Sequence, residues 1–123
     1  MFIAAAILSL VLAVAAAGAG VPKALLKGDV PAQLQQHFGL SEGLVRFIGL
    51  AEVATTIGLV IGLFWQPLGI AAAAGFAVLL LGAVGFHAKA GDYADPKLRG
   101  PAMAPIVLAI VAIAAVITLA LSM

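Results

Sequence analysis

A chain of 123 residues in which 65% of side chains are hydrophobic and 9% are charged lacks the polar groups to clothe a soluble domain. Its formal charge of +1 excludes a polybasic nucleic-acid binder, and the absence of cysteine excludes thiol catalysis, thiolate zinc sites and iron–sulfur clusters. Four membrane-spanning helices of about 20 residues each would use nearly the whole length, leaving no room for a second domain.

Four apolar stretches run over about 2–21, 44–64, 68–87 and 102–121. Each is long enough to cross roughly 30 Å of hydrocarbon, and lipid offers no partner to an exposed backbone amide, so each is expected to be α-helical. The fold expected is therefore all-α, an integral membrane four-helix bundle forming a single transmembrane domain over residues 1–123. The first stretch ends in small residues that a signal peptidase would accept, but it carries no basic residue ahead of the apolar run. That arrangement points to a retained helix. The first connection, 22–43, is long and semi-polar, and Val30, Leu34 and Phe38 recur at helical spacing within it. A short interfacial helix ending at Gly39 is expected there.

Gly58 and Gly62 form a GxxxG in the second stretch, suited to close helix packing. Only Trp65, Gln66 and Pro67 separate the second and third stretches, which makes them an antiparallel hairpin with Pro67 in the first helical turn. The third connection, 88–101, carries Asp92, Asp95, Lys97 and Arg99 and reads as a solvated loop. All six Lys and Arg fall on or beside the first and third connections. The positive-inside rule places those connections in the cytoplasm and both termini outside.

One charge interrupts this order. Glu52 lies about eight residues into the second stretch, roughly 12 Å along its helix. A carboxylate there costs on the order of 2–3 kcal/mol and belongs in the bundle interior. Thr55 and Thr56 share its helical face and offer hydroxyls; Lys23, Arg46 and His87 are the cationic groups near the same boundary. These residues outline a polar pocket. Glu52 and His87 are its candidate acid and base, in the position of catalytic groups, and Lys23, Arg46, Thr55 and Thr56 its candidate ligand-binding groups. The alternative is that Glu52 only clamps helices together. His37 is expected to be solvated, which disfavours haem held by two histidines, and no metal site is expected.

The segments Gly20-Val21-Pro22-Lys23, Ile48-Gly49-Leu50-Ala51-Glu52 and Gly82-Ala83-Val84-Gly85-Phe86-His87 together resemble the DoxX-like family of small four-helix bacterial membrane proteins. The likeness extends over nearly the whole chain, and the family's lysine, glutamate and histidine positions fall on Lys23, Glu52 and His87. It implies a place beside quinone-coupled membrane redox complexes, and it supports the fold and these residues more strongly than any reaction. Three functions follow as expectations. The first is a binder of a lipophilic molecule (quinone- or isoprenoid-like) or an accessory subunit of membrane oxidoreductase subunits, alone or as a homo-oligomer. The second is an intramembrane isomerase or oxidoreductase with Glu52 as general acid or base. The third is a proton-coupled small exporter, disfavoured because the first stretch carries no charge. No cofactor is identified, and no nucleic-acid partner is expected.

Overall fold

The computed structural model describes residues 1–122. It contains α1 (Phe2–Leu25), α2 (Asp29–His37), α3 (Glu42–Ile61), α4 (Gln66–Lys89), a 3-10 turn at Asp92–Ala94 and α5 (Arg99–Leu121). The four long helices correspond to the four apolar stretches, and α2 to the short helix expected between the first two. Twenty to twenty-four residues at 1.5 Å each give lengths of about 30–36 Å, enough to cross a bilayer.

Helix ends follow from local chemistry. The Ser41 side chain accepts a hydrogen bond from the Leu44 N–H at 3.2 Å, capping α3. Gln66-Pro67 opens α4, where the missing proline N–H is harmless. Helix α1 runs past Pro22 and closes in a Schellman arrangement. Leu26 takes a left-handed conformation (φ 52°), its N–H reaches Lys23 O at 3.2 Å, and Lys27 N–H reaches Pro22 O at 2.9 Å. This closure carries α1 four residues beyond its expected end and fixes the turn that bears Lys23.

The helices pair as α1 with α3 and α4 with α5, with α3 and α4 joined by the short hairpin at Trp65. The core is built from Leu12, Ala13 and Ala16 of α1, Leu59 of α3, Ala73, Phe76, Ala77 and Leu80 of α4, and Ala109, Ala112 and Ala115 of α5. Alanine dominates because apolar helices in lipid gain little from burying large side chains and associate through close packing. Large apolar side chains point outward instead: Phe47, Leu50, Ile57, Val78, Ile110 and Ile117 are all exposed. A surface of that kind belongs against lipid tails.

Two glycine contacts set the helix spacing. A Cβ added at Gly49 would lie 2.4 Å from Ala24 N and 2.7 Å from Gly20 O, and one at Gly20 would lie 2.7 Å from the Glu52 Cβ. Helices α1 and α3 therefore touch backbone to backbone beside Glu52. At the other end of α3 the GxxxG packs on α4, where a Cβ at Gly62 would lie 2.3 Å from the Gly69 Cα. The Gln66 side chain donates to Leu119 O at 2.8 Å and lies 2.9 Å from Ser122 Oγ, tying the start of α4 to the end of α5.

Candidate functional site

Opposite the Trp65 hairpin, at the end carrying the basic residues, all four long helices line a cavity of about 490 Å³. Its wall is mostly apolar, with Ile48, Phe76, Leu79 and Leu108 prominent, and the proline pair Pro101 and Pro105 forms part of the α5 side. Val30 and Leu34 of α2 and Phe38 just past its end, the three residues whose spacing suggested one face, also line it. Four polar or charged side chains reach the lining: Lys23, Gln33, Glu52 and His87.

Glu52 is 3% exposed and is answered by one group, the Lys23 ammonium, which donates to Oε1 at 2.7 Å. The Gly20–Gly49 contact makes this pairing reachable, because it brings the last turn of α1 within one side-chain length of α3. A buried pair of this kind owes its attraction to low dielectric and offsets it against the loss of two hydration shells. It is held here at the edge of the cavity.

His87 lines the same cavity but does not bond to Glu52. Its Nδ1 lies 2.5 Å from Asp92 Oδ2, while His37 Nε2 lies 2.7 Å from Asp92 Oδ1. Asp92 is 1% exposed. Burial works against its charge, but hydrogen bonds from His37 and His87, with their attraction, outweigh that penalty and hold the carboxyl below the ordinary aspartate value. Next to it, burial and the Asp92 charge push the Tyr93 hydroxyl up. That hydroxyl donates to Ala102 O at 2.9 Å, stitching the turn to α5. Phe38 meets His87 edge-on, ring centres 5.0 Å apart, and lies 5.7 Å from Phe86. Among the described residues no group of His, Asp and Glu is arranged to hold a metal ion.

The structure thus gathers Lys23, Glu52 and His87 around one cavity and leaves three expected residues outside it. Arg46 is exposed on α3. Thr55 donates to Ala51 O of its own helix at 3.0 Å, and Thr56 donates across to Ala13 O of α1 at 3.1 Å. The threonines therefore serve helix geometry and the α1–α3 contact. Two expectations need correction. The third connection is not uniformly solvated, since Asp92 is buried within it, and His37 is engaged by that aspartate. Nothing in the polar composition of 88–101 marks Asp92 apart from Asp95; burial comes from the packing of the 3-10 turn on α4 and α5 and from the two imidazoles on its carboxyl. The one sequence signal is an acid placed just past a helix end that carries a histidine, a pattern too common to single out.

The fold, the charged pair inside a span and the histidine at the end of α4 define a small multi-pass membrane protein. The chain belongs to the DoxX-like family, whose model matches residues 7–116. No curated protein and no solved structure matches it. The membrane-embedded helices make the lipid bilayer its environment.

Proposed function

We propose that this protein binds a lipophilic small molecule, quinone- or isoprenoid-like, with its polar end toward Lys23, Glu52 and His87. The observation that carries the reading is the cavity itself: about 490 Å³, apolar walls and a few convergent polar groups at one end. Small-molecule sites have this composition and size. The pair of opposite charges supplies a polar anchor without net charge, which suits a neutral head group. In this reading the basic end faces the cytoplasm of a bacterial cell, by the positive-inside rule.

Mass spectrometry of small molecules retained after mild purification tests the reading. A lipophile present in wild-type protein and depleted in Glu52→Gln supports it; equal content in both, or none in either, overturns it. Such a binder would serve alone or as an accessory subunit of a membrane redox complex. Co-purification of an oxidoreductase subunit in mild detergent separates those two roles.

A further inference from the structure

We infer that the cavity recognises the hydroxyl group of a neutral lipophile, accepted by Nε2 of His87, with Asp92 as the positioning residue that holds the neutral ring's proton on Nδ1. This inference rests on the ligand-binding reading above and adds the chemistry of the head group. A neutral imidazole carries one N–H and one lone pair, and its partner decides which nitrogen holds which. Here Nδ1 is 2.5 Å from a carboxylate oxygen of Asp92. A carboxylate only accepts, so in the neutral ring Nδ1 is the nitrogen that donates. The lone pair is left on Nε2. Among the described residues no hydrogen bond engages Nε2, and His87 is part of the cavity lining.

An acceptor in a mostly apolar wall selects for a donor on the ligand. The charges around it narrow the choice further. Lys23 and Glu52 cancel each other across 2.7 Å, so a carboxylate head would face Glu52 and an ammonium head would face Lys23. A hydroxyl meets neither conflict. Phe38 and Phe86 near the imidazole keep the surroundings apolar, where an unmade hydrogen bond to the ligand is most costly. The ligand class is therefore a long apolar body ending in a neutral hydroxyl, as in a phenol, a quinol or an isoprenoid alcohol.

The test uses the full chain in lipid nanodiscs at pH 8, with 4-nonylphenol and its methyl ether as probes and empty nanodiscs as the blank. Wild-type protein is expected to bind the phenol at least about fivefold more tightly than the ether, the worth of one hydrogen bond. His87→Phe is expected to bring that ratio to about one. Nitrogen-15 NMR supplies a readout that does not depend on any site variant folding. The His87 ring should show Nδ1 protonated and Nε2 bare, with the Nε2 resonance moving on addition of phenol and not of ether. The only other histidine, His37, is assigned by its loss in His37→Gln. Equal affinity for both probes, binding of neither, or a protonated Nε2 in the wild type overturns the inference. The broader ligand-binding reading falls only if wild-type protein also retains no lipophile more than Glu52→Gln does.

Discussion

Two buried ionic groups lie at the same end of this bundle and are held by opposite means. Lys23 and Glu52 stand on two long helices pressed together backbone to backbone, so their 2.7 Å separation is a property of the α1–α3 contact. The trio of His37, Asp92 and His87 joins a nine-residue helix, a 3-10 turn and the end of α4, none of which crosses the bundle with the others. The first group is fixed by the scaffold. The second adds to the fixing, because Asp92 links His37 at the end of α2, which also packs on α1 and α3, to His87 of α4. Rigid helices bring charges together at the cost of glycine at every close approach, whereas connections bring them together only if a side chain closes the loop.

Breaking one partner of the first group gives the largest effect. Lys23→Met leaves Glu52 buried without a counter-charge and should destabilise the folded protein by about 3–5 kcal/mol, whereas Lys23→Met combined with Glu52→Met should recover most of that loss. Thermal unfolding in matched detergent micelles measures both; a double variant as unstable as the single one would show that the pair is not the source of the cost. A smaller effect is expected from the spacing. Gly49→Ala places a methyl 2.4 Å from Ala24 N, against backbone that cannot rotate away. A loss of about 1–3 kcal/mol is expected from this overpacking, with weaker Lys23–Glu52 contact. By contrast Gly18→Ala, which meets no atom within 4 Å, should be neutral or slightly stabilising.

The second group should respond to pH. Asp92 has a folded value below its unfolded one, so it contributes stability above the ordinary aspartate value of about 3.9. That contribution is lost as pH falls through the lower folded value. In Asp92→Asn the stability lost between pH 5 and pH 3 should be smaller than in wild type. Unfolding midpoints across that range measure it, and identical slopes in the two proteins would remove Asp92 from the account.

How far each group could be read from the chain follows from the same contrast. Glu52 announces itself because every neighbour for a turn in each direction is apolar or small, and a lone carboxylate in lipid needs a reason. The Gly58–Gly62 spacing likewise announced a close helix contact, and Gly69 supplies its other half. Asp92 and His37 carry no such signal, because each stands among polar residues where a charge is ordinary. Their meeting depends on a turn of chain 55 residues apart. Thr55 and Thr56 show the converse: they share a helical face with Glu52, yet their hydroxyls turn to backbone carbonyls at 3.0 and 3.1 Å. Helical spacing places a side chain on a face without saying whether a nearer acceptor will claim it.

The Gln66 bonds to α5 have a mechanical consequence. With Gly62 against Gly69 and Gln66 bound to Leu119 and Ser122, three helices are pinned together near the hairpin. That end of the bundle is therefore closed by backbone and side-chain contacts, while the hollow lies at the opposite end.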